Sequence, residues 1–206
     1  MESHRRSTLA LAVLSLLGEA EQRGERAMHP YRMQQLIKAR GKDQVVNVGQ
    51  RASLYRTIDR LRRSGLIVVD EVSRDGARPE RTAYALTDAG RSAWREWMLD
   101  ALATPTRDYP AFPAAIAFIP MLSSQEVLGQ LEKRQELLAA ELAGIEAQLN
   151  ADSDVPRLFM LEMEFLKATA EAELTWVASV VDDLRAGTIV WTKDQLHTLA
   201  AQARGQ

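Results

Sequence analysis

The chain contains no cysteine, which excludes disulfides, thiolate metal ligands and thiol nucleophiles. Histidine is almost as scarce: His4, His29 and His197 are the only three, and they stand too far apart in sequence for ligand spacing. They read as surface or packing residues. No long hydrophobic run is present either. The longest, Leu9–Leu17, is interrupted by Ser15 and falls well short of the roughly 20 residues that span a bilayer. It also lacks a small-residue cleavage site of the signal-peptide kind, so a cytoplasmic location is expected. Glycine-rich phosphate loops, nucleophile–base pairs and metal-ligand clusters are missing as well, so no enzyme, no metal and no cofactor are expected. Neither sign of charge dominates, the formal net charge being −2.

What is there is a globular composition, 46% hydrophobic and 26% charged over 206 residues, enough for one large domain or two small ones. The charge is unevenly placed. Residues 1–100 carry +5 and residues 101–206 carry −7. A basic half joined to an acidic half suits a nucleic-acid-binding module joined to something else.

The most informative stretch is Gln50–Gly65, QRASLYRTIDRLRRSG. Leu54, Ile58 and Leu61 recur at helical spacing and form one narrow apolar stripe. Ala52, Ser53, Arg56, Asp59, Arg60 and Arg63 fall on the opposite face, with Tyr55 and Arg62 on the flank. Gly65 stands where a left-handed residue closes a helix. Five arginines, including Arg51, in sixteen positions suit a helix lying in a DNA major groove. Arginine supplies phosphate contacts and bidentate guanine contacts, and Ser, Thr and Tyr supply short hydrogen bonds. An ordinary solvated amphipathic helix is the plainer reading of this stretch taken alone.

Its neighbours favour the first reading. Thr8–Gly18 predicts a first helix, apolar nearly all round, and Glu19–Met28 a charged loop. A second helix over Pro30–Arg40 buries Met33, Leu36 and Ile37 and exposes Tyr31, Arg32, Gln34, Gln35 and Lys38. Gly41–Gly49 is the turn of a helix-turn-helix. Leu66–Ser73 and Arg81–Leu86 read as strands joined by Arg74–Glu80, with Asp75-Gly76 at the tip. This hairpin carries Arg74, Arg78 and Arg81. A helix-turn-helix followed by a basic hairpin is the winged-helix arrangement, with the hairpin reaching flanking phosphates or the minor groove.

Thr87 caps a helix running to about Ala103 that carries Trp94, Trp97, Met98 and Leu102. Thr104–Pro120 holds four of the seven prolines and places a domain boundary near Pro105, giving residues 1–104 and 105–206. A short helix is expected over Pro113–Ile119. Ser123 or Ser124 caps a long helix reaching Asn150, with Leu128, Gln135, Leu142 and Leu149 at heptad a positions and Leu131, Leu138 and Ile145 at d. After a turn at Ala151–Val155, Pro156 starts a second long helix ending near Gly187. Its apolar residues cover more than one face, which calls for two partners. One is its antiparallel neighbour. The other is expected to be a second copy of the chain, met by Leu161, Phe165, Ala172, Trp176 and Val180; a monomeric helical core is the plainer reading. A short terminal helix falls within Trp191–Arg204.

The chain resembles the PadR family of bacterial transcriptional regulators. The resemblance is carried by the apolar first helix, Tyr31 opening the second, Ser53-Leu54-Tyr55-Arg56 and Leu61 in the third, Gly65-Leu66-Ile67, and Tyr84-Ala85-Leu86-Thr87-Asp88-Ala89-Gly90-Arg91 beyond the hairpin. His29-Pro30 stands where the family often has glycine before the tyrosine. The resemblance implies a mostly α-helical fold with a small β-hairpin wing, and a C-terminal helical dimerisation domain with two long antiparallel helices. It also implies a homodimer that represses transcription from a pseudo-palindromic operator, relieved in some members by a small aromatic or hydrophobic effector. Within it, Ser53 and Arg56 are expected at base edges, and Tyr31, Lys38, Tyr55, Arg60, Arg63 and the hairpin arginines at phosphates. Trp94 and Trp97, with the aromatic connector, are the candidate effector-binding residues, although tryptophans so placed more often anchor a core. The competing reading of the chain is a helical protein–protein adaptor whose winged helix no longer binds DNA.

Overall fold

A computed structural model describes residues 7–73, 81–105, 109–151, 154–192 and 195, with the side chains of 71–73 and 81 excepted. The chain divides into two compact units, Met1–Arg107 and Asp108–Gln206.

In the first unit, Ser7 caps helix α1 (Thr8–Gln22) by accepting a hydrogen bond from the Ala10 N–H at 3.2 Å. Helix α2 (Pro30–Ala39) starts on its proline, whose missing N–H costs nothing there, and helix α3 (Arg51–Arg63) follows. Gly65, with φ of +70°, takes the left-handed turn that ends α3 and releases the chain into strand β1 (Ile67–Ser73). Strand β2 (Arg81–Leu86) returns antiparallel, pairing Ile67 with Leu86 and Ser73 with Arg81, with an irregularity between Val69 and Glu71. Helix α4 (Asp88–Ala103) completes the unit. Val13, Leu14 and Leu17 of α1 meet Met33 and Ile37 of α2, Leu54, Ile58 and Leu61 of α3, Ile67 and Leu86 of the hairpin, and Trp97 of α4 in one core.

The second unit holds the short helix α5 (Ala111–Ala117), a 3₁₀ turn at Ile119–Met121, and two long helices, α6 (Ser124–Ala151) and α7 (Leu161–Ala186). A capping box starts α6: the Ser123 hydroxyl accepts from Glu126 N–H at 3.2 Å while the Glu126 carboxylate accepts from Ser123 N–H at 2.9 Å. The long helices run antiparallel, as their ion pairs show: Glu132 meets Arg185, Arg134 meets Glu173 and Glu146 meets Lys167. Val127, Leu131 and Leu138 pack on Val177, Val181 and Leu184, and Ile145 packs with Met160, Met163 and Ala170. All three heptad d residues are therefore buried, while the a residues Leu128, Leu142 and Leu149 lie partly buried beside them. Helix α7 ends on Gly187, left-handed at φ +72°. The architecture is mostly helical with a two-stranded antiparallel sheet, a winged helix-turn-helix with a C-terminal helical region.

Several boundaries differ from expectation. Helix α1 passes through Gly18 and stops only at Gly24, which has φ of +78°. Glu19–Gln22 are compatible with a helix, and Ala20 is buried there. Met28, expected in a loop, pairs with Tyr84 through both backbone groups, at 2.9 and 3.0 Å, and covers the outer edge of β2. Helix α5 starts two residues early because Pro110 precedes it and Pro113 lies in its first turn, where a proline is tolerated. Pro156 opens a 3₁₀ turn at Arg157–Phe159 and α7 begins only at Leu161. The hairpin tip at Arg74–Glu80 and most of Trp191–Arg204 lie outside the described residues. No helix among the described residues is long and apolar enough to cross a membrane.

Candidate nucleic-acid interface

The outer face of α3 is built by the burial of its inner one. With Leu54, Ile58 and Leu61 fixed in the core and Thr57 buried beside them, Arg51, Ala52, Tyr55, Arg56, Arg62 and Arg63 are left in solvent. The arginines do not extend independently. Arg56 folds back along its helix, its Nε donating to the Ala52 carbonyl and its Nη2 to Ser53 Oγ, each at 3.3 Å. The two residues expected at base edges therefore form one hydrogen-bonded unit. Arg51 places its guanidinium 5.8 Å from the centre of the Tyr31 ring, which joins the start of α3 to the first turn of α2.

Arg60 is half-buried and its Nη2 donates to Ser7 Oγ at 3.1 Å, so it ties α3 to the cap of α1. Ser7, Asn47, Ser53, Arg56, Thr57 and Arg60 line one open groove beside α3. Lys38 lies in a neighbouring groove with Thr8, Asn47 and Gly49. Arg63 and Arg62 both turn to Asp59, at 3.0 Å each, one to each carboxylate oxygen. The Arg62 hydrogen bond, with Arg63 alongside, holds the Asp59 carboxyl below its ordinary range.

The turn before α3 is positioned from inside. Gln34 is 9% exposed, and its side-chain amide donates to the Val48 carbonyl at 3.1 Å. Sequence reasoning placed Gln34 among exposed residues; burial of Val48 draws the turn over it. Asn47 Oδ1 accepts from Gly49 N–H at 3.2 Å and tightens the same turn. Ser7 and Asn47 join the site without having been singled out, and Asp59, which the sequence places on the outer face, joins it as the partner of Arg62 and Arg63. Ser7 carried a signal, a serine directly before an apolar helical run.

Tyr31, Lys38, Arg51, Ser53, Tyr55, Arg56, Arg60 and Arg63 thus lie on α2 and α3 of one unit. Arg74 and Arg78 lie outside the described residues, as does the side chain of Arg81. Trp97 is buried in the N-terminal core, and Trp94 packs against that core with its indole N–H donating to Ser15 Oγ at 3.0 Å. On α7, Leu161, Phe165, Ala172 and Trp176 are exposed and Val180 is half-buried. Among the described residues, no group of three or more histidines and carboxylates is placed to hold a metal ion.

Residues 13–96 match the model of the transcriptional regulator PadR-like family. No curated protein matches the chain. Solved structures do. The structure of Bacillus subtilis PadR in complex with operator DNA superposes with a TM-score of 0.66 at 18% identity, covering 86% of this chain and 99% of that one. The same protein in complex with p-coumaric acid gives 0.66 at 16%, covering 87% and 99%. The Vibrio cholerae virulence activator AphA gives 0.63 at 22%, also covering 87% and 99%. At these identities the likeness is one of fold.

Proposed function

We propose that the chain, whose residues 13–96 match the model of the PadR-like family of transcriptional regulators, binds duplex DNA sequence-specifically, as a homodimer that represses transcription from a pseudo-palindromic operator. The observation that carries this reading is the outer face of α3, where Arg56 is preorganised on Ser53 and Ala52 and flanked by exposed Arg51, Tyr55 and Arg63. A planar guanidinium held at a fixed place on an exposed helix suits bidentate reading of a guanine edge. The solved relative with operator DNA supports the same use of the fold.

The second copy covers the α7 stripe of Leu161, Phe165, Ala172 and Trp176. Phe165 is 67% exposed and Trp176 42%, and aromatic anchors of this kind dominate protein interfaces. Two copies so joined present two α3 helices to successive major grooves about 34 Å apart. A small aromatic or hydrophobic molecule releases the DNA by favouring a dimer with the wrong half-site spacing. Its chemical class is suggested by the p-coumaric acid bound to the Bacillus subtilis relative.

The test is selection of bound duplexes from random DNA by the full chain, followed by gel shifts on the selected site. Arg56→Ala is expected to lose about 1–3 kcal/mol and to relax preference at one base position. Arg78→Ala is expected to weaken all duplexes alike and to lower the salt slope by roughly one unit. Wild-type behaviour in both variants rules out this surface, and a wild-type chain that selects nothing favours the adaptor reading. Titrating tryptophan fluorescence with p-coumaric acid and other flat aromatics tests the effector.

A further inference from the structure

The exposed face of α3 contains one acid. Asp59 lies between Arg56 and Arg63 along the helix axis and, at 100° per residue, falls beside Arg63 on the outward side opposite Leu54, Ile58 and Leu61. A helix whose only task was to hold a polyanion would place no carboxylate there, since each phosphate that approaches is repelled. Nor is Asp59 explained by the core. Its side chain is 48% exposed and its partners are Arg62 and Arg63 of its own helix. Exposed pairs at such spacing contribute little to helix stability.

We propose that Asp59 is a specificity-determining residue that suppresses sequence-independent binding. This rests on the reading of α3 as the DNA-facing helix. The carboxylate acts in two ways. It occupies Arg62 Nη2 through one oxygen and Arg63 Nε through the other, both at 3.0 Å, so two cations next to the reading face are already partnered before DNA arrives. It also adds a fixed negative charge to the surface that any duplex must meet. Both effects lower affinity for every sequence, and only a site that engages the Arg56–Ser53 unit recovers the loss. Discrimination is a difference of affinities, and a repulsive element directed at the wrong partner raises it as effectively as a new contact with the right one.

The experiment compares the full-length chain with Asp59→Asn on two probes, a duplex selected by the wild type and a random duplex of equal length, across a salt series. Asparagine keeps the shape and removes the charge. Expected is a several-fold gain in affinity for the random duplex, a salt slope steeper by about one unit, and a smaller gain on the selected duplex, so that the ratio between them falls. Adding Arg63→Gln to Asp59→Asn is expected to return the slope toward wild type. Thermal melting of each variant confirms folding and removes loss of structure as an explanation. Unchanged affinity and slope on the random duplex, or equal weakening on both, overturns the inference while leaving the regulator reading intact. A wild-type chain that binds neither duplex overturns that reading and the inference with it.

Discussion

Gly90 lies against the backbone of Leu66 so closely that a Cβ on it would stand 1.9 Å from the Leu66 carbonyl oxygen. The obstacle is main chain at the start of β1, which cannot rotate away as a side chain would. The glycine of Thr87-Asp88-Ala89-Gly90 is thus required by the docking of α4 on the root of the hairpin. Gly90→Ala is expected to destabilise the N-terminal unit by about 3 kcal/mol or more, the upper end of overpacking costs. Urea unfolding checks this, and a midpoint equal to wild type would show that the two elements separate easily.

Thr87 serves the same junction from the other side. Its hydroxyl accepts from Gly90 N–H at 2.9 Å and lies 2.7 Å from the Gly65 carbonyl, to which it donates. Thr87→Ala is expected to cost about 1–2 kcal/mol in the same unfolding measurement, and Thr87→Ser to recover most of it. Equal losses in both variants would assign the effect to the methyl group instead.

Gln34 is expected to act on DNA binding without touching DNA. Gln34→Leu strands the Val48 carbonyl in a buried place, at a cost of about 1–3 kcal/mol. The turn it supports leads into α3, so affinity for a selected duplex is expected to fall while the salt slope, which counts phosphate contacts, stays unchanged. A reduced slope would place Gln34 at a phosphate.

On α7 the two faces are expected to answer differently. Leu138→Ala, which hollows the contact with α7, is expected to cost about 2–5 kcal/mol. Phe165→Glu leaves that contact in place and is expected to convert a dimer into monomers in sedimentation. A Phe165→Glu chain that sediments as wild type would move the interface elsewhere.

Arg157 and Glu164 offer a titration. The hydrogen bonds from Arg157, at 2.9 Å and beyond, hold the Glu164 carboxyl below its ordinary range. A carboxyl depressed in the folded state favours folding above its unfolded pKa and loses that contribution as pH falls through the folded one. The carboxyl resonance of Glu164 is expected to titrate at lower pH than a free glutamate, and Arg157→Gln to return it to the ordinary range.

The outer face of α3 was legible because it needs only a local rule: three apolar residues at helical spacing point inward and the arginines between them point out. The same holds for the Gly65 stop, the Ser123 cap and the two long helices. What escaped depends on residues distant in sequence. Gly18 looked like a helix end, yet burial of Ala20 carries α1 past it. Gln34 looked solvated until the turn closed over it. Arg60 on Ser7, Trp94 on Ser15 and Met28 on Tyr84 each join residues more than fifty positions apart, and no periodicity encodes such pairs.

The Met28–Tyr84 pairing has a mechanical side. The two peptide groups fasten the middle of β2 to the segment that feeds α2, one residue before His29 and two before Pro30. A load applied to the hairpin is therefore passed through main chain to the foot of α2, with no compliant side chain in between. The strand and the helix carrying Tyr31 are thereby coupled through two main-chain hydrogen bonds, so a tilt of β2 at Tyr84 draws the N-terminus of α2 with it.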